Sequence, residues 1–111
     1  MATLTFKQLF APTQLSAGAN TLYTCPTATL ARNLRVRFAN TTSGAVSIQA
    51  WAVPSGDTAG DDNSCLPTKS IGAYSYIDVD IPLLTSSDYL VATPGAATSI
   101  TATCIDGFEQ T

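Results

Sequence analysis

Histidine is absent from this sequence, and charged residues make up only 12% of its 111 positions. Without an imidazole, the usual general base and the usual Ser-His or Cys-His nucleophile pairs are missing. No phosphate-binding or dinucleotide-binding glycine motif is present either. Five Lys and Arg residues against eight Asp and Glu give a net charge of −3, which leaves few cations for phosphates. We therefore expect neither an enzyme nor a nucleic-acid-binding protein, and no cofactor.

Long apolar runs are also missing. No stretch of about 18 apolar residues occurs, so the sequence predicts no membrane span. The first residues lack the basic region and apolar stretch of a secretory signal. We expect a soluble protein that is made where it is used.

Cysteine is scarce, and the spacing of the three cysteines matches no known pair motif. Cys25, Cys65 and Cys104 form an odd set with no C-x-x-C pair, which argues against a disulfide framework or a zinc site. We expect three buried or half-buried thiols in a reducing compartment.

The one long connection, residues 54–63, holds the acidic residues Asp57, Asp61 and Asp62 next to Asn63. Carboxylate and amide oxygens are calcium ligands, but the spacing matches no EF-hand. A solvated acidic turn is the commoner structure, so we predict no metal site and leave calcium binding at this loop open.

What the chain does contain is short alternating runs separated by Gly, Pro, Asn and Ser turns. Residues 33–39 alternate strictly, with Leu34, Val36 and Phe38 on one face. Such runs predict strands; the expected set covers residues 21–25, 33–39, 45–53, 66–69, 73–81, 89–92 and 98–105. About seven or eight strands predict an all-β fold, an antiparallel β-sandwich of the jelly-roll type, as one domain over residues 1–111.

Two local features of these strands are predicted as well. The turn at residues 40–44 is expected to join its flanking strands as a hairpin. Pro82 is expected to end the strand before it, because proline cannot donate to a ladder. The predicted core includes Leu34, Val36, Phe38, Ile48, Ile77, Val79 and Leu90.

The few charges lie in same-sign pairs on strand faces. Arg35 and Arg37 share one face, and Asp78 and Asp80 share another. They form either a cross-strand ladder, if the two strands are neighbours, or a surface that faces a partner.

Three outward aromatics, Trp51, Tyr74 and Tyr76, are a second candidate partner surface. The alternatives are a sugar-stacking platform and plain packing over the sheet.

The N-terminal segment is more apolar than a free tail, because it carries Leu4, Phe6, Leu9 and Phe10. We interpret residues 1–12 as a possible interaction arm, with Leu4, Phe6 and Phe10 as its contacts. A chain without it is expected to fold, or nearly so.

The order of these features resembles that of small virion proteins of tailed phages. The resemblance covers about residues 22–107, and it rests on the segments LYTCP (22–26), RVRFANTT (35–42), VSIQAWAVPSG (46–56) and DYLVA (88–92). These are turn and core positions, so the resemblance implies a β-sandwich and transfers no functional residue. It implies a likeness to capsid decoration, or cement, proteins, and some related sandwiches serve in tails or fibres.

The function expected is therefore that of a non-enzymatic structural protein of a phage particle, assembled in the host cytoplasm. As a capsid decoration protein it would stabilise the head by binding the major capsid protein and its own copies. The alternative is a carbohydrate- or receptor-binding module of a tail or fibre, built on the aromatics.

Overall fold

The computed structural model describes residues 3–111 and contains nine β-strands in that range. The strands are β1 (Leu4–Phe6), β2 (Thr13–Gln14), β3 (Asn20–Thr24), β4 (Leu30–Asn40), β5 (Val46–Val53), β6 (Ser64–Ile71), β7 (Tyr76–Leu84), β8 (Tyr89–Pro94) and β9 (Ile100–Gln110). A single 3₁₀ turn, Asp61–Asn63, is the one helical element of this part of the chain. No helix that is long and apolar enough to cross a membrane occurs in residues 3–111.

The strands form two antiparallel sheets, which confirms the predicted sandwich. The first sheet has the order β1-β9-β4-β7, with β2 also paired to β9, and the second has the order β3-β8-β5-β6. If β1 and β2 count as one interrupted edge strand, the first of eight strands pairs with the last, the second with the seventh, the third with the sixth and the fourth with the fifth. This nesting is the jelly roll.

The core lies between the sheets, where each strand contributes the apolar side of its alternation. Phe38, Leu34 and Val36 of β4 are fully buried, as are Ile48 of β5 and Leu90 of β8. Val79 is buried too, so the predicted core is confirmed except at Ile77, which is half-buried against it.

The predicted hairpin between β4 and β5 is wrong. β4 pairs with β7 and β9, whereas β5 pairs with β6 and β8 in the other sheet. Because both strands have an apolar face, they can bury those faces against each other across the sandwich as well as side by side. Period-2 alternation fixes the buried face of a strand but not its partner.

Asn40 holds the crossover between the sheets in place. Its side chain is 2% exposed, and its amide donates to the carbonyls of Gly44, Ile71 and Gly72 at 2.8, 3.0 and 3.2 Å. Its carbonyl oxygen accepts from the backbone N–H and the hydroxyl of Thr42. A buried polar group is stable only when its hydrogen bonds are made, and here the bonds tie the β4–β5 turn to the end of β6.

Pro82 does not end its strand as predicted. β7 continues to Leu84, and Leu83 lies opposite Arg32 of β4. β7 is the edge of the first sheet, where the missing N–H of a proline needs no partner strand.

The N-terminal segment is built into the fold instead of forming a separable arm. β1 pairs with the end of β9, and Leu9 and Phe10 are 8% and 9% exposed within the core. The side chain of Phe10 is therefore not available to a partner. Gly107, with φ of 147°, lies where an added Cβ would meet Leu9 at 3.0 Å. A chain lacking residues 1–12 would lose core contacts, and Met1 and Ala2 of that segment lie outside the described residues.

Candidate interaction surface

Two arginine–aspartate pairs form a ladder on the outer face of the first sheet, meaning the face turned away from the second sheet. Arg35 lies opposite Asp80, and Arg37 lies opposite Asp78, in the register of β4 and β7. Each pair has two contacts, at 2.6 and 3.3 Å for the first and at 2.9 and 3.1 Å for the second. The ladder alternative is therefore the one that this fold adopts.

The ladder holds its four groups in their charged forms. The hydrogen bonds from Arg37 and Arg35 lower the pKa of Asp78 and of Asp80, although desolvation opposes the shift. The same bonds raise the pKa of each arginine. The strip therefore stays zwitterionic and carries no net charge.

An aromatic ring continues this strip toward the start of β7. The guanidinium carbon of Arg37 lies 4.1 Å from the ring centroid of Tyr76, which is cation–π distance. Tyr76 is 56% exposed. One arginine thus holds both an aspartate and a tyrosine in place on an open surface.

An apolar row crosses all four main strands at the other end of this face. Phe6 lies opposite Phe108, Phe108 opposite Arg32, and Arg32 opposite Leu83. The rings of Phe6 and Phe108 lie 5.0 Å apart at 46°. Phe6 is 74% exposed and Leu83 is 48% exposed, so water meets large apolar side chains here.

Arg32 lies in the middle of this row without an ion-pair partner. The salt bridges formed within residues 3–111 use Lys7, Arg35 and Arg37 as their cations. The Arg32 side chain is therefore a charged donor group between two apolar neighbours, an arrangement typical of protein interfaces.

The exposed large apolar side chains of the described residues belong to the first sheet or to the turn that enters it. Among the described residues they are Leu4, Phe6, Tyr74, Tyr76, Leu83 and Ile105, each on a strand of the first sheet or, for Tyr74, in the turn that enters it. The outward residues of β5 in the second sheet are Ser47, Gln49 and Trp51, all half-buried. The two outer faces of the sandwich thus differ in chemistry.

The three predicted aromatics do not come together. Trp51 lies on β5 of the second sheet and points outward there, whereas Tyr76 belongs to the outer face of the first sheet. Tyr74 lies in the turn before β7, with φ of 53°. These three residues therefore do not form one aromatic platform. The sugar-stacking alternative rested on such a platform, so the observation that suggested it is missing.

A charged tie joins the two sheets near the C-terminal end of β9. Glu109 of β9 accepts from the hydroxyl of Tyr23 at 2.6 Å and pairs with Lys7 at 2.8 Å. Desolvation raises the pKa of Glu109, but the bonds from Lys7 and Tyr23 outweigh it and the net pKa is lowered. Burial, followed by the bond to Glu109, raises the pKa of Tyr23. The tyrosine therefore donates at any ordinary pH.

The acidic loop forms its own hydrogen bonds. Asp57 accepts from the backbone N–H of Thr58, and the Asn63 side chain joins Gly60 and Thr58. In residues 3–111 no group of three or more His, Cys, Asp or Glu side chains is close enough to hold a metal ion. The cysteines are free, with Cys25 and Cys104 buried and Cys65 half-buried.

A shallow hollow of about 350 Å³ opens on the outer face of the first sheet. It is lined by Asn33, Leu34, Arg35, Asp80, Pro82 and Asp106. Its cation and one of its carboxylates are already paired with each other. The hollow is thus a polar depression beside the apolar row, with one more carboxylate, Asp106, than it has cations.

Sequence reasoning missed four residues of this face, namely Arg32, Leu83, Ile105 and Phe108. A local change in β4 explains one of them: Asn33 has φ of 54°, so the alternation shifts and Arg32 points outward next to Arg35. The register of β9 also shifts around Asp106, where Ile105 is the extra residue. Asparagine before an alternating run was the available signal for the first change, since asparagine tolerates this backbone conformation.

No protein-family model and no curated protein matches this sequence. Solved structures do match it in fold. A chain of the Bacillus endospore appendages, described as disulfide-linked pili, has 13% identity and a TM-score of 0.54, covering 99% of this chain and 88% of that one.

Two viral chains are similar as well. One belongs to the infectious bursal disease virus Gx strain, with 10% identity and a TM-score of 0.50, and the other to the T13 particle of the same virus, with 7% and 0.50. Each covers 99% of this chain, which spans only 31% and 30% of their lengths. At such identities the likeness is one of fold.

Proposed function

We propose that this protein is a non-enzymatic structural subunit of a phage particle, a capsid decoration protein that binds the major capsid protein and its own copies. The single observation that carries the proposal is the asymmetry of the sandwich. All the exposed large apolar side chains of the described residues lie on strands of the first sheet or, for Tyr74, in the turn before β7, and the outer face of that sheet also carries a neutral ion-pair ladder. Exposed apolar side chains gathered on one face mark an interaction surface.

The chemistry of that face fits docking onto another protein. Aromatic residues and arginine are favoured in interfaces, and the face includes Phe6, Phe108, Tyr76 and Arg32. Its ladder needs no partner to neutralise it, so burial of the face costs less than burial of free charges. The similar viral and pilus chains come from assembled particles and fibres, which supports a role in assembly and in a virion.

The disulfide linkage named for the pilus chain is not part of the proposal. Cys25 and Cys104 are buried in the core, so they are not placed to bridge to another copy. Burial also raises the pKa of Cys25 and of Cys65, which lowers their reactivity as thiolates. Assembly is proposed to be non-covalent.

The test is binding to heads that were assembled without this protein, followed by cosedimentation. The Leu83→Asp variant puts a charge in the apolar row, and we expect it to weaken binding at least about tenfold. The matched control is Ser70→Asp, an exposed position on β6 of the second sheet. It should bind within about twofold of the parent. Equal loss in both variants, or no binding by the parent, would contradict the proposal.

A further inference from the structure

The exposed edge of the first sheet at β1 differs from the other sheet edges. β7 carries Asp78 and Asp80 on its outer face and lacks one N–H at Pro82. Both carboxylates are already paired with arginines of β4, so the missing N–H at Pro82 is what interrupts this edge. β1 has neither a proline nor a charged residue, and its three residues are all exposed.

The edges of the second sheet are also interrupted. β6 contains Pro67 and Lys69, and β3 has a shift in register between Thr21 and Tyr23. Prolines, lysines and bulges are the devices by which natural sheets block pairing with a further strand. Of the strand edges described, β1 is the one whose side chains favour contact with another apolar strand.

The hydrogen bonding of β1 shows which backbone groups face outward. Thr3 and Thr111 exchange both of their backbone hydrogen bonds, at 3.0 and 2.9 Å. In an antiparallel ladder such pairs alternate, so Thr5 also bonds to β9, and the N–H and C=O groups of Leu4 and Phe6 point away from it. The open edge therefore offers two donors and two acceptors, spaced two residues apart.

From this geometry we infer that β1 pairs with β1 of a second copy, antiparallel and centred on Thr5. In that register Leu4 lies opposite Phe6 of the other copy, and the reverse, so about four backbone hydrogen bonds form. A shift by one residue in either copy would match outward groups with inward ones. The pairing is self-complementary, as a two-fold interface requires.

The register that forms these backbone hydrogen bonds also brings apolar side chains of the two copies together. Leu4 and Phe6 point to the outer face, where Phe6 already packs on Phe108. Two copies would therefore join these apolar side chains into one cluster across the axis. The nearest charge, Lys7, is already paired with Glu109 and so adds no unpaired repulsion.

The consequence is one continuous outer face made from both copies, with the order β7-β4-β9-β1-β1-β9-β4-β7. This deepens the proposed function, on which its biological use rests, because two apolar rows side by side bind a repeating head lattice with avidity. The pairing itself is a property of the purified protein. Its failure is therefore distinguishable from failure of head binding.

The first experiment is disulfide trapping with a Thr5→Cys variant. In the inferred register the two Thr5 residues form a non-hydrogen-bonded pair with Cα atoms about 4.5 Å apart, which a disulfide can span. Mild oxidation should give a covalent dimer at least about tenfold faster than for Thr13→Cys, the same change on the neighbouring exposed strand β2. Equal rates in the two variants would overturn the inference.

The second experiment is sedimentation equilibrium of the protein without added cysteines. The parent should dimerise, and Phe6→Asp should weaken dimerisation at least about tenfold, whereas Leu83→Asp should change it by no more than about twofold. Leu4→Pro removes one outward N–H and leaves the bonds to β9, so it should weaken dimerisation too. A parent that stays monomeric up to about 1 mM would overturn the inference.

The two sets of results separate cleanly. Monomeric protein whose head binding still depends on Leu83 would refute the β1 pairing and leave the proposed function standing. A dimer that binds no heads would refute the proposed function and leave the β1 pairing standing.

Discussion

The two sheets of this sandwich are alike on their inner faces, which form the core, and differ on their outer faces. Both contribute buried apolar residues, such as Phe38 from the first and Ile48 from the second. Outward, the first sheet exposes Phe6, Leu83 and Tyr76, whereas the outward residues of β5 are small or polar apart from the half-buried Trp51.

The difference separates apolar residues that the core requires from apolar residues that it does not. Burial of a core requires apolar side chains only between the sheets, since the outer faces of a two-layer fold meet solvent. The exposed apolar residues of the first sheet are therefore not required by the core. Substitutions at the two kinds of position distinguish residues that stabilise the fold from residues that are available for contact.

The largest effect is expected from a matched pair of phenylalanines. Phe38→Ala should lower the free energy of unfolding by about 3 to 5 kcal/mol, because Phe38 is fully buried between the sheets. Phe6→Ala should cost about 1 kcal/mol or less, because Phe6 is mostly exposed and loses only its packing on Phe108. Chemical denaturation measures both. Equal losses would remove the distinction between the two positions.

An intermediate effect is expected where the sheets are tied by Glu109. Tyr23→Phe should cost about 1.5 to 3 kcal/mol, the usual value of a hydrogen bond to a charged group. Thermal melts at neutral pH check this value. A variant as stable as the parent would mean that the tie between the sheets contributes nothing.

The same tie predicts a pH dependence. Because the pKa of Glu109 is lowered in the folded state, its contribution is present above the unfolded value of about 4.3 and is lost as pH falls through the folded pKa. The difference in unfolding free energy between the parent and Glu109→Gln should therefore shrink on acidification. A difference that stays constant from pH 7 to about pH 3 would contradict the assignment.

The smallest effect on stability is expected at Leu83. Leu83→Asp should change the free energy of unfolding by about 0.5 kcal/mol or less, since the side chain lies on an open face. Loss of head binding by this variant then reports on contact alone. If the substitution unfolded the protein, Leu83 would be a residue that stabilises the fold, and the distinction between the two kinds of residue would fail.

The sequence predicts the buried faces well and the partners of the strands poorly. Leu34, Val36 and Phe38 alternate with arginines, and that pattern was enough to place them in the core. The same pattern does not predict whether β4 pairs with β5, because pairing depends on contacts between residues that are distant in sequence. The hairpin prediction was therefore wrong although both strands were correct.

The candidate surface was partly predictable for a similar reason. The matching same-sign pairs on β4 and β7 favoured a ladder, which the register then brought together. The apolar row could not be seen, because it depends on Asn33 and on the shift in β9 near Asp106, where simple alternation fails. Phe10 was assigned to the surface because its apolar character alone does not distinguish an arm from a core segment.

The most direct test of the central claim is an electron-microscopy map of the assembled particle at side-chain resolution. We predict that the outer face of the first sheet, from Phe6 to Leu83, lies against a neighbouring subunit, while the outer face of the second sheet around Ser70 meets solvent. A map in which the second sheet makes the contacts, and the apolar row is open to solvent, would contradict the account.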